Sequence, residues 1–389
     1  MNLASLSASY LRARPLNTAL SVALLALGVA TIVMLVLVVS QLEERMSRDG
    51  RGIDLVVGAK GSPMQLILAG IYHADAPTGN IPLEAAQRLA KNRLAKKAMP
   101  LALGDSWKGQ RIVGAGREYA QHYGAKLAAG RFYDKPMETV LGSDVAARTG
   151  VSLGARFTGA HGLGAEGEEH AEDAYTVVGI LSATDSVIDR LVLTDVESVW
   201  QVHEHSGGAK EVTVVLVQYA SPLAAAMLPR QINAESALQA ASPAYETARL
   251  FRIIAVGVDA LRGFAVVLIL AAGLSVFIAL YTALEERRYD LAVMRTLGAS
   301  PGRLFGLLVA EGLVLAAVGT LLGIALGHLL VAGLGAWLKT QQQYAITALD
   351  WRIEELWLAA IALAVGLAAA LIPAWRAYRT DVSHTLSEA

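Results

Sequence analysis

No cysteine occurs among the 389 residues. That excludes disulfides, cysteine-based zinc sites and thiol catalysis. Charge is scarce as well: Asp, Glu, Lys and Arg make up 17% of the chain, against about 25% in ordinary soluble domains. The 33 basic and 34 acidic residues leave a net charge of −1. With no long basic run and no basic–aromatic interleaving, a nucleic-acid partner is not expected. The phosphate-cradling pattern G-x-x-x-x-G-K-[ST] is missing, and "GAKGSP" from Gly58 to Pro63 lacks its spacing. There is no nucleophile elbow and no H-E-x-x-H, for which "HEH" at His203–His205 is too short. The chain is therefore expected to carry no catalytic residue and no cofactor of its own. Any ATP used would be bound by another chain.

What the sequence has in quantity is apolar length. A bilayer core needs about 20 apolar residues in a helix, and four runs supply them, at 17–41, 257–284, 304–338 and 356–375. The first is too long for a cleaved signal peptide, and "VVSQLEERMSRDG" follows it without a small-residue cleavage site, so it reads as an uncleaved anchor. Arg12 and Arg14, then Arg287, Arg288, Arg295 and Arg303, then Arg376 and Arg379 all fall on one side of a four-span plan. By the positive-inside rule that side is cytoplasmic. Both termini would be inside, residues 42–256 outside as one large domain, and 339–355 a short outer loop. Residues 1–16 read either as a short amphipathic helix (Leu3, Leu6 and Tyr10 at helical spacing) or as a frayed tail. Residues 376–389 form a cytoplasmic tail.

The external region reads as an α+β domain with a helical stalk. "YTVVGIL" (Tyr175–Leu181), "RLVLTD" (Arg190–Asp195) and "EVTVVLVQY" (Glu211–Tyr219) have strand composition. "PLEAAQRLAKNRLAKK" (Pro82–Lys97), "SPLAAAMLPRQI" and "NAESALQAAS" have helical patterning. Two pieces stand out. In "GAKGSPMQLILAGIYH", Met64, Leu66, Ile67, Leu68, Ile71 and Tyr72 form either an ordinary buried helix or an exposed apolar hook that touches lipid or a lipidic substrate. In "HGLGAEGEEHAEDAY", His161 and His170 lie among carboxylates, with His203 and His205 downstream. Imidazole and carboxylate suit a divalent metal, but the spacing matches no defined site and a solvated hairpin loop is the simpler reading.

The segment between the second and third runs, 285–303, is ordered rather than a linker. Tyr289, Val293 and Leu297 recur every fourth residue as an apolar stripe, with Glu285, Glu286, Arg287, Arg288 and Arg295 around it. Gly298 fits the position just past a helix end, Ser300 an N-cap and Pro301 the first turn of the next helix. In the third run Gly319, Gly323 and Gly327 make a small-xxx-small ladder suited to close helix approach. Glu311 is a carboxylate inside a membrane run, which should face protein or water.

At these residues the chain resembles the MacB/FtsX/LolC superfamily of ABC transporter permeases. "EERRYDLAVMRTLGAS" is similar to the family's cytoplasmic coupling element, with Asp290 where Glu is common. Glu311-Gly312 followed by Gly319, Gly323 and Gly327 is similar to its E-G…G-x-x-x-G-x-x-x-G run. "PAWRAYRTDVSHTL" is similar to its C-terminal tail, with Val382 where proline is usual, and "AAGRFYD", "VLGSDVAARTGVSLGARF" and "YTVVGIL" to a MacB-type periplasmic core. The resemblance implies a permease subunit of the bacterial inner membrane that dimerises with a second copy or homologue. A separate ABC ATPase, carrying ATP and Mg, would seat on Glu285–Gly298. Its motion would reach a periplasmic domain that exports or extracts substrate. The alternatives are an FtsX-like module that activates a periplasmic partner and a component of a zinc-linked transport system.

Overall fold

The computed structural model describes residues 15–161, 169–203, 210–340 and 346–379. The expected N-terminal amphipathic segment, most of the C-terminal tail and His205 lie outside them. Contacts divide the chain into one unit of residues 1–41 and 254–389 and another of 42–253.

In chain order the elements begin with α1 (Pro15–Asp49), β1 (Leu55–Ala59), α2 (Pro63–Gly70), β2 (Ile81–Pro82), α3 (Leu83–Ala90), β3 (Ala95–Trp107) and β4 (Gln110–Ala115). They continue with α4 (Arg117–His122), β5 (Leu127–Gly130), β6 (Glu138–Leu141), α5 (Ser143–Thr149), β7 (Arg156–His161) and β8 (Glu169–Leu181). After a 3-10 turn come β9 (Val192–Thr194), α6 (Val196–His203), β10 (Glu211–Val212), β11 (Val214–Tyr219), α7 (Pro222–Glu235) and β12 (Leu238–Ala241). The last four are α8 (Pro243–Glu286), α9 (Arg288–Thr296), α10 (Pro301–Thr340) and α11 (Ile353–Tyr378).

Residues 42–253 are built on a mixed sheet in the order β12-β1-β11-β3-β4-β9-β6-β8-β5, with β7 bridging β3 and β8. Its central strands are covered on both faces, which is why they read as nearly unbroken apolar runs. Along β1, Val56 enters one core while Leu55 and Val57 enter another; along β11, Val214 and Leu216 join the first and Val215 and Val217 the second. The first core is closed by α2 and α4, the second by Ala86 and Leu89 of α3 with Leu228 and Ile232 of α7. At the sheet margin Asn233 holds the strand β12 by its backbone. The Ala240 N–H donates to Asn233 Oδ1 at 2.7 Å, and Asn233 Nδ2 donates to the Ala240 carbonyl at 3.1 Å.

Two local expectations are corrected, and one open choice is decided. The helix from Pro82 stops at Ala90, and by Ala95 the chain is a strand paired with Tyr219. The Asn92 side chain makes the turn, accepting from the Leu94 N–H at 2.9 Å. "NAESALQAAS" is not a helix past Glu235, because Leu238–Ala241 pairs antiparallel with β1 and tertiary pairing outweighs the local alanine content. Of the two readings of the Met64–Tyr72 stretch, the structure takes the buried helix rather than the exposed hook. Leu66, Ile67, Ile71 and Tyr72 belong to the core, Leu68 packs against it, and Met64 is half-buried.

Beside that core lies a buried histidine with nothing to gain from its charge. His73 is buried, sits at φ +52°, and pairs through Nε2 with the Tyr119 hydroxyl at 2.9 Å. Burial, and then the charges of Arg111 and Arg190, hold its proton affinity well below the ordinary histidine value. The unfolded chain takes up this proton near pH 6.5 while the folded chain does not. The His73 contribution to stability is therefore complete above pH 6.5 and is lost as the pH falls below it, at up to about 1.4 kcal/mol per unit. Urea midpoints of the full chain at pH 7.5 and 5.5 should differ more in the parent than in His73→Asn, a residue that tolerates the left-handed backbone. Equal differences in the two proteins would refute this assignment.

Candidate functional site

Residues 1–41 and 254–389 contain helices from all four apolar runs, each long and apolar enough to cross a membrane. They pack by close backbone approach. A Cβ on Gly323 would lie 2.6 Å from Val29 Cβ and 2.8 Å from the Ala26 carbonyl oxygen; one on Gly327 would lie 2.7 Å from Val33 Cγ1, and one on Gly319 2.8 Å from Leu25 Cδ2. The ladder on α10 is thus filled by α1 of the same chain. A second close approach joins α10 to α11, where a Cβ on Gly366 would lie 2.3 Å from Ala316 Cβ and one on Gly312 2.7 Å from Ala370 Cβ. A third joins α1 to α8, with Gly28 against Ile269. These contacts rest on van der Waals packing, which drives helix association where lipid removes the hydrophobic contrast.

The end of this unit that carries α9 is an elbow. Glu285 and Glu286 close α8, Arg287 stands alone at φ −101° and ψ 9°, and Arg288 opens α9. At the other end the helix stops in a Schellman motif, since Gly298 adopts φ +94°, its N–H donates to the Arg295 carbonyl at 3.0 Å, and the Ala299 N–H donates to the Met294 carbonyl at 2.9 Å. α10 starts directly after, at Pro301. The helix has two different faces. Leu291 and Ala292 are buried, and Leu291 and Met294 pack with Leu280, Leu284, Leu304 and Leu308. On the other side Tyr289 is 53% and Leu297 83% exposed, with Val293 half-buried between them. The sequence stripe is therefore the outward face. The inward face at Leu291, Ala292 and Met294 escaped the sequence reading because a contact of one helical turn carries little periodic signal.

Glu311 is 2% exposed, and Arg287 Nη1 reaches its Oε1 at 3.5 Å. Sequence gave no sign of this pair, which spans 24 positions. At the other end of the same unit, Gln41 of α1 binds the 346–352 segment by both atoms of its amide. Its Nε2 donates to the Thr347 carbonyl at 2.8 Å, and the Thr347 N–H donates to its Oε1 at 2.9 Å. His328 adds contacts to the Ala348 carbonyl at 2.6 Å and to Glu355 at 3.0 Å.

The remaining candidates lie in residues 42–253. Of the Met64–Tyr72 set, Tyr72 lines an open cleft of about 330 Å³ with Met46, Ala248 and Phe251. Its hydroxyl meets Thr247 Oγ1 at 3.0 Å and the Met46 carbonyl at 3.3 Å, so it joins the end of α1 to the start of α8. The side chains of His161, His170 and His203 are not among those described. Among the described residues no group of three or more His, Asp or Glu comes together.

Comparison with known proteins accounts for both units. Residues 262–382 match the FtsX-like permease C-terminal family, and residues 18–235 match the MacB-like periplasmic core domain. The chain is 25% identical over 288 residues to the lipoprotein-releasing system transmembrane protein LolC of Neisseria meningitidis serogroup B, covering 68% of this chain and 69% of that one. Among solved structures, the periplasmic region of MacB from Actinobacillus actinomycetemcomitans is 14% identical, with 54% of this chain and 97% of that chain covered and a TM-score of 0.36. The extracellular domain of the noncanonic ABC-type transporter YknZ from Gram-positive bacteria is 15% identical, with 48% and 98% covered and a TM-score of 0.30. With a core-domain match over more than half its length and a permease match over most of the remainder, the chain belongs to the MacB/FtsX/LolC superfamily of ABC transporter permeases.

Proposed function

We propose that this permease passes the ATP-driven motion of a separate ATPase subunit to its sheet domain, which works on a substrate outside the cytoplasmic membrane. The observation that carries this reading is the two-faced helix α9, anchored on its own chain through Leu291 and Ala292 while Tyr289 and Leu297 stay uncovered. An exposed apolar stripe on so short and firmly capped a helix suits a cleft in another protein. ATP and Mg belong to that partner. The arginines flanking the helix favour the cytoplasmic side for it and for both chain ends, in what we read as a bacterial inner membrane. Two such chains, or this chain and a homologue, work as a pair. The substrate is exported or extracted by the sheet domain; no chemistry on this chain is required.

The test is a pull-down of the detergent-solubilised chain from its host, with ATPase activity measured on what is retained. Retained activity supports the reading, and its absence removes it. Val293→Glu should cut the retained ATPase at least about tenfold, the equivalent of 1.4 kcal/mol of binding. It should leave the amount of membrane-inserted chain unchanged. Undiminished retention would reassign the stripe.

A further inference from the structure

From the geometry of the elbow we infer that Arg287 and Glu311 form a strut that moves α10 together with α9, so that ATPase motion enters the helical unit through the third span as well as the second. The inference rests on the ATPase reading above and adds its point of entry. Arg287 fills the single-residue break between α8 and α9, and its backbone keeps the two in register. Its N–H donates to the Ala283 and Leu284 carbonyls at 3.1 and 3.2 Å, and its carbonyl accepts from the Leu291 N–H at 2.9 Å. Its side chain instead leaves for α10 and meets Glu311, about three turns in from Pro301.

The rest of the elbow is apolar contact among Leu280, Leu284, Leu291, Leu304 and Leu308. Such contact is non-directional and lets helices slide. The ion pair is directional, and among the described residues Arg287 is the cation that meets Glu311. A buried carboxylate that loses its cation is strongly destabilised, so α9 cannot swing away without carrying Glu311 along. Beyond Glu311, α10 is in backbone contact with α11 at Gly312 and with α1 at Gly319, Gly323 and Gly327. A displacement of Glu311 therefore has an unyielding path into both neighbours. Because spatial continuity alone does not establish coupling, the test is built on a double-mutant cycle.

The first arm needs no ATPase. Hydrogen exchange of the Leu291–Thr296 amides is followed in the full chain in detergent. Arg287→Met, which strands the carboxylate, should speed exchange roughly tenfold. Arg287→Met combined with Glu311→Gln should return it to within about twofold of the parent, since removing both charges relieves the penalty. Additive effects of the two substitutions would overturn the strut. The second arm uses the complex with its ATPase. The cysteine-free chain accepts spin labels cleanly at Thr296→Cys, beside the stripe, and at Leu322→Cys, both exposed positions. With the pair intact, the label distance should be the same in nucleotide-free and ATP–vanadate states. In the double variant it should differ between those states, while the ATPase stays bound. A nucleotide-dependent distance in the parent, or a constant one in the double variant, overturns the proposal. If no ATPase is retained, the transmitting role falls with the reading it rests on. That failure is recognisable because the first arm is unaffected.

Discussion

Gly323→Leu should cost the chain at least about 3 kcal/mol, the upper range for overpacking a closed contact. The first added carbon already lies 2.6 Å from Val29 Cβ and 2.8 Å from the Ala26 carbonyl oxygen. A side-chain neighbour can rotate away, but a backbone oxygen can retreat only by moving the helix. Parting α1 from α10 would also loosen Leu25, Val29 and Val33, which are buried between helices. Leu321→Ala, two residues back and so on the opposite face, removes an exposed side chain and should stay within about 0.5 kcal/mol. Thermal unfolding of the full chain in detergent separates the two. A Gly323→Leu melting curve that overlays the parent would show that the helices do not meet along this ladder.

The second large effect is expected at Leu66. Leu66→Ala removes buried methyl groups from a fully enclosed site and should destabilise by about 2–5 kcal/mol. Its Cδ1 is also the atom that a Cβ on Gly58 would strike at 2.5 Å, so β1 and α2 are in tight contact there. Were this stretch an exposed hook, trimming Leu66 would leave stability alone and weaken only binding to lipid or substrate. Chemical denaturation of the full-length variant therefore decides between a core element and a contact surface, and an unchanged midpoint would restore the hook.

The Leu66 case shows where sequence was and was not a sufficient guide. An apolar helix read in isolation looks the same whether it faces a core or a lipid, because only the partner differs. The four long runs needed no partner to be recognised, since their length alone meets the bilayer requirement. The capped helix Arg288–Thr296 was legible for a similar reason. Its Gly298, Ser300 and Pro301 signals are all within a few residues of the ends they mark. The sheet was legible strand by strand but not in order, since β1 lies between β11 and β12 from the far end of the domain. The candidate site divides the same way. Tyr289, Val293 and Leu297 could be seen as a stripe, but not the Arg287–Glu311 pair, nor that Gly323 meets Val29, nor that Gln41 clasps a residue 306 positions away. Each of these joins residues from different helices, and no local rule brings them together.

The Asn233 contact at the sheet margin has a consequence for how such domains can meet. An open strand edge invites another chain to add a strand, which is a ready route to unplanned association. By occupying both the N–H and the carbonyl of Ala240, the Asn233 carboxamide takes the place an incoming backbone would use. A second copy meeting this margin is thereby hindered from continuing the sheet through β12. An association at that margin would have to be made by side chains, which part easily, rather than by a backbone ladder, which would hold.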